Sequence, residues 1–198
     1  MERRELVRWL VATAGISCLE GLSANELVAF GEEVHLTPTT GQGFRALGAH
    51  AQRTVIAAAE RIIPATDTPG ATDAGVVTFV DKMVADWYMP LERTRFLAGL
   101  EELDRRCQSL RGKRFVDCTE ADQVAVLTAF DEEVTASRRS PGTTNPNDHW
   151  FAMLKYLTAF GYCTSEPAMR RTLGAWPRPT RYDGCAPVAI QRPQRGRS

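Results

Sequence analysis

Apolar residues recur at intervals of three and four along almost the whole chain, and nowhere do they alternate over the length of a strand. That regularity restricts the fold to packed helices. Val55, Ile56, Ala59, Ile62 and Ile63 make one stripe over residues 49–63, and Pro64 stops the helix because a residue before proline is pushed out of the α region. A second helix is predicted to begin after Thr72 or Asp73, with Val76, Val77, Phe79, Val80, Met83, Val84 and Trp87 on a broad buried face. Pro90 suits the first turn of a third, running to about Leu110 with Leu91, Phe96, Leu97, Leu100 and Leu103 inside. Thr119-Glu120-Ala121-Asp122 has the form of a capping box, with Asp for the usual Glu. It opens a fourth helix to about Ser137 whose stripe is Val124, Leu127 and Phe130. His149, read as a cap or a packed interior group, precedes a fifth and strongly aromatic helix that Gly161 is predicted to end.

The expected fold is therefore all-α: a compact bundle of about five core helices followed by an extended tail. Residues 66–70 and 140–147 are the loops, dense in Pro, Gly, Asn and hydroxyls. A short helical turn is predicted over residues 168–173. Beyond it Pro177, Pro179, Pro187 and Pro193 forbid regular helix, so residues 175–198 should lie extended on a surface. The core domain is then 36–174, and residues 1–35 form a separate N-terminal segment.

A chain of 198 residues with 43% hydrophobic content suits one domain with a packed core. Basic and acidic residues number 24 each, which argues against a general nucleic-acid binder. From Arg170 onward seven arginines meet one acid, Asp183, so the tail carries +6 and the body −6. No stretch approaches the ~20 apolar residues of a membrane-spanning helix. At the N-terminus Arg3-Arg4 precedes an apolar run from Trp9 to Leu19, in the order of a twin-arginine export signal. A docked amphipathic helix is the other reading of the same residues.

No glycine-rich turn between strand and helix is present to approach a dinucleotide pyrophosphate; Gly41-Gln42-Gly43 reads as a connector. The five cysteines (18, 107, 118, 163, 185) show neither CxxC nor a zinc or haem spacing. If Cys18 leaves with a signal peptide, four remain, enough for two disulfides in an oxidising compartment. Cys107 and Cys118 also read as small core residues on or beside helices. Glu101-Glu102 and Asp131-Glu132-Glu133 are exposed charge runs rather than paired catalytic carboxylates. Thr164-Ser165-Glu166 reads as a rigid corner whose side chains bond backbone N–H groups, aiming the tail at its receiving surface.

Four segments carry a resemblance to a known family. They are 59–71 (AERIIPATDTPGA), 75–81 (GVVTFVD) continuing to Trp87-Tyr88, 161–166 (GYCTSE), and 181–185 (RYDGC). Together they resemble the gluconate 2-dehydrogenase subunit 3 family, over roughly residues 50–185. Cys163 and Pro167-Ala168 depart from its usual pattern. The resemblance implies a non-catalytic small subunit that binds a large FAD-dependent dehydrogenase of the glucose-methanol-choline (GMC) type. That partner would hold the FAD, with no cofactor in this chain, oxidise a sugar, glycoside or sugar acid, and pass electrons toward a cytochrome c subunit. The small chain would support its folding, joint export or stability. Location is then periplasmic or exported, with the cytoplasm left open.

The residues expected at the partner interface are Trp150, Phe151, Tyr156, Tyr162, Thr164, Ser165, Glu166, Trp176, Arg181, Tyr182, Asp183, Gly184 and Cys185. Cys185, in its fixed loop, is expected either in a disulfide with Cys163 or the partner, or as a buried free thiol. Two other readings stand beside this one. The chain could be a stand-alone helical periplasmic protein binding a small sugar or lipid, or an independent enzyme.

Overall fold

One helix organises the bundle. The computed structural model describes residues 22–36, 43–139 and 149–172. In chain order the helices are α1 (Ala24–Leu36), α2 (Ala49–Ile62), α3 (Val76–Lys82), α4 (Pro90–Arg111), α5 (Glu120–Arg139), α6 (Trp150–Thr164) and α7 (Glu166–Arg171). A π-helical turn, Met83–Trp87, extends α3, and a 3-10 turn, Phe115–Asp117, sits between α4 and α5. Helix α6 packs against all six others. Thirteen of its fifteen residues are buried, which is what a helix apolar on every side requires.

The all-α architecture expected from periodicity is present: the described residues hold no strand and seven helices, α2 to α6 being the five core helices expected, with α1 before them and the short α7 after. No described helix is long and apolar enough to cross a membrane. Helices α2, α4 and α5 begin and end within two residues of their predicted bounds. The loop predicted over 140–147 lies outside the described residues, as do the apolar run of the N-terminus and the tail beyond Thr172.

Several placements differ from the periodic expectation. Helix α3 starts at Val76, two or three residues beyond a start directly after Thr72 or Asp73, because residues 71–75 form turns ending on Gly75 in the left-handed region, φ 68°. Trp87 is 42% exposed. A π-helical turn is underwound relative to an α-helix, so the residue at its end rotates off the buried stripe. Leu91, in the first turn of α4, points to solvent at 61% exposure. On α5 the buried stripe runs through Gln123, Val126, Leu127, Phe130 and Val134, and Val124 is exposed beside it.

Gly161 does not end α6, which continues to Thr164. Its role is close approach: a Cβ there would lie 2.7 Å from Cδ1 of Phe79 on α3. A similar contact brings α1 in. A Cβ on Gly31 would meet Thr164 Cγ2 at 2.4 Å.

Candidate functional site

Helix ends leave carbonyls short of donors, and at the end of α6 side chains add donors beside the backbone bond from Ser165 N to Tyr162 O. Thr164 Oγ1 donates to Phe160 O at 2.8 Å, His35 Nε2 to Gly161 O at 2.7 Å, and Ser165 Oγ to Tyr162 O at 2.8 Å. Ser165 then caps the next helix, its Oγ accepting from Ala168 N at 3.3 Å. One hydroxyl thus closes α6 and opens α7. Of the three side chains expected to bond backbone N–H groups at this corner, only Ser165 does so; Thr164 donates to carbonyls and Glu166 pairs with Arg170, while Ser165, 1% exposed, is not presented as a nucleophile.

Tyr162 ties this corner to a segment 93 residues earlier in the chain. Its hydroxyl donates to Pro69 O at 2.8 Å and lies 2.8 Å from Thr172 Oγ1. The loop holding Pro69 is itself shaped by Glu60 on α2. Glu60 Oε1 accepts from Ala65 N at 2.8 Å, and Oε2 accepts from Thr72 N at 3.0 Å and Thr72 Oγ1 at 2.7 Å. Burial pushes the Glu60 carboxyl up, but the bonds from Thr72 and Ala65 outweigh it and hold the group below the ordinary carboxylate value. Two of the motif segments, 59–71 and 161–166, therefore meet at one place. Between them opens a groove of about 460 Å³ lined by Pro69, Asp73, Glu166, Pro167, Arg170 and Arg171. Glu166 and Arg170 pair across one helical turn at 2.8 Å. The chain leaves from this corner toward residues 173–198. Removing the Tyr162 hydroxyl (Tyr162→Phe) orphans the buried Pro69 carbonyl and is expected to cost about 1–2 kcal/mol in a urea unfolding titration.

Of the residues expected at an interface, Trp150, Phe151, Tyr156, Tyr162, Thr164 and Ser165 are buried within this chain. Phe130 receives Trp150 edge-on at 4.8 Å between ring centroids, and Arg138 lies over the Tyr156 ring. Glu166 is exposed on the groove. Trp176, Arg181, Tyr182, Asp183, Gly184 and Cys185 lie outside the described residues, so the pairing of Cys163 with Cys185 does too; Cys163 itself is buried near the end of α6. What periodicity hid is an apolar ridge at the junction of the π-helical turn and α4, where Trp87, Met89 (59% exposed) and Leu91 follow one another. Phe30 of α1 backs it, edge-on to Trp87 at 4.6 Å. A turn at Tyr88, Met89 and Pro90 was the only local signal.

Two half-buried histidines have their pKa pushed down by burial. His149 caps α6, its Nδ1 accepting from Phe151 N at 3.2 Å, as expected of a cap. Burial pushes its pKa down, against the pull of Glu133. His35 is stacked on Phe79 and is likewise held down by burial, its bond to Gly161 O opposing and Lys82 reinforcing the shift. Both folded values lie below the ordinary 6.5. The unfolded chain therefore takes up protons that the folded chain refuses, so stability falls as pH drops through that value and levels off below the folded pKa values. The expected result is a urea midpoint that declines between pH 7 and pH 5, with a flatter profile in His35→Gln.

Among the described residues no group of three His, Cys, Asp or Glu side chains is placed to hold a metal ion. What the geometry offers is shape: a charged groove, an apolar ridge and a fixed exit for the tail on an all-helical body. Residues 49–180 match the family model of gluconate 2-dehydrogenase subunit 3. The chain belongs to that family, whose name is that of a subunit of a dehydrogenase complex. No curated protein and no solved structure matches it significantly.

Proposed function

We propose that the chain is a non-catalytic accessory subunit that binds the large FAD-dependent, GMC-type subunit of a sugar or sugar-acid dehydrogenase and supports its folding, export or stability. The family match over residues 49–180 carries this reading. In the complex the partner holds the FAD, oxidises the substrate and passes electrons to a cytochrome c. Arg3-Arg4 and the apolar run from Trp9 to Leu19 support export to the periplasm, the small chain carrying the signal for both. The buried aromatics of α6 act through shape, fixing the corner from which Glu166 and the segment with Trp176, Arg181, Tyr182, Asp183, Gly184 and Cys185 reach the partner.

The apolar ridge supports the same reading. Trp and Met are enriched at interface cores, and contiguous exposed apolar side chains mark association surfaces. Met89→Ser with Leu91→Ser removes two side chains that lie outside the core. The expected result is at least tenfold weaker retention of the large subunit, with helical circular dichroism unchanged. Truncation after Gly174 should release the partner as well. Association untouched by both changes would place the interface elsewhere.

A further inference from the structure

A second groove, of about 210 Å³, opens where α2, α5 and α6 pack together. Ile62, Leu127 and Phe151 give it an apolar lining, and Phe151 is one of the residues expected at an interface. That volume is below the range of cofactor and small-molecule sites, so it suits an inserted side chain. The charged groups of the groove are Arg61, Lys155 and Asp131. Lys155 Nζ donates to Asp131 Oδ1 at 2.7 Å, and those two charges cancel. Arg61 is only partly used. Its Nη1 donates to Glu120 Oε2 at 2.7 Å, but Glu120 is 79% exposed, so water competes for that bond. Its Nε–H is buried and has no acceptor among the described residues. Nε and Nη2 of a guanidinium form the edge that fits a carboxylate in two parallel bonds, and Glu120 sits on the other nitrogen. Arg61 and Ile62 belong to the segment 59–71, which also lines the charged groove at the end of α6 through Pro69.

Resting on the accessory-subunit reading, we propose that this groove is a second contact with the large subunit and receives one of its acidic side chains together with an apolar neighbour. The carboxylate binds Arg61 side-on through Nε and Nη2, and the apolar group lies against Leu127 and Phe151. A buried donor on a charged group is costly without an acceptor. A carboxylate removes that cost, whereas an apolar or basic side chain leaves it in place. The Arg61 side chain keeps 21% exposure, enough for the guanidinium to meet a carboxylate entering the groove it lines. Glu120 competes for the same guanidinium and therefore opposes the contact.

The test uses the tagged full-length chain recovered from its native cells, and follows dissociation of the flavin-bearing large subunit retained on it. Val124, 47% exposed, lines the groove outside the core. Val124→Glu brings a carboxylate of this chain to the groove and is expected to weaken retention roughly tenfold. Glu120→Gln removes the competing carboxylate and is expected to tighten retention about twofold or more. Both positions are exposed, so helical circular dichroism should stay as in the unmutated chain. Any result other than these opposite shifts overturns the proposal. The unmutated chain separates that failure from failure of the accessory-subunit reading. If it retains the large subunit and the two variants do not shift in opposite directions, the reading stands and this contact falls; if it retains no flavin-bearing subunit, both fall.

Discussion

Asp81→Ala is expected to lower the stability of the chain by about 3–5 kcal/mol, because one buried carboxylate satisfies three backbone donors. Its Oδ1 accepts from Ala46 N at 2.9 Å and Leu47 N at 2.8 Å, and its Oδ2 from Arg45 N at 2.9 Å. These residues form the approach to α2, whose N-cap, Gly48, has no side chain to cap the helix. Asp81 on α3 thus gathers the N–H groups of the segment that leads into α2, ahead of the helix's own first turn, and Leu47 of that segment is buried in the core. Alanine leaves all three N–H groups without an acceptor. Asparagine keeps one carbonyl oxygen and should fall between the two. The measurement is the urea midpoint and slope; a loss below 1 kcal/mol for Asp81→Ala would show that water replaces the carboxylate at little cost.

Gly99→Ala should cost about 1–3 kcal/mol, the usual range for overpacking a core. Helix α4 crosses α6 at Gly99 so closely that an added Cβ would lie 2.0 Å from Cγ and 2.3 Å from Cβ of Trp150. The close atoms belong to the root of the side chain. They cannot swing aside as a flexible tip would, so α4 and α6 must separate. In an open helical position the same change would stabilise by up to about 1 kcal/mol. The sign of the change in melting temperature therefore decides between close approach and open space.

Both effects depend on contacts that local pattern does not display, and that divides what was legible in the sequence from what was not. Pro64, Pro90 and the hydroxyl-acid sequence at 119–122 act within one turn of themselves, so helix ends near them were readable. Thr119 does cap α5, accepting from Asp122 N at 3.2 Å. Gly161 carries the composition of a helix stop, yet its reason for being glycine is Phe79, 82 residues earlier. Trp87 fits a 3.6-residue stripe by counting, but one π-helical turn changes the count. The corner at Ser165 was readable because a capping hydroxyl works three residues away. His35 reaching Gly161 and Tyr162 reaching Pro69 span the chain, and only folding reveals them.

We propose that this chain works as a subunit of a flavin-dependent dehydrogenase. The most direct measurement is isolation of the tagged chain from its native cells, with the flavin absorbance and protein content of the retained fraction recorded together. The expected result is a second, larger polypeptide carrying flavin at a fixed ratio to this chain. Recovery of the chain alone, folded and without flavin, would contradict it.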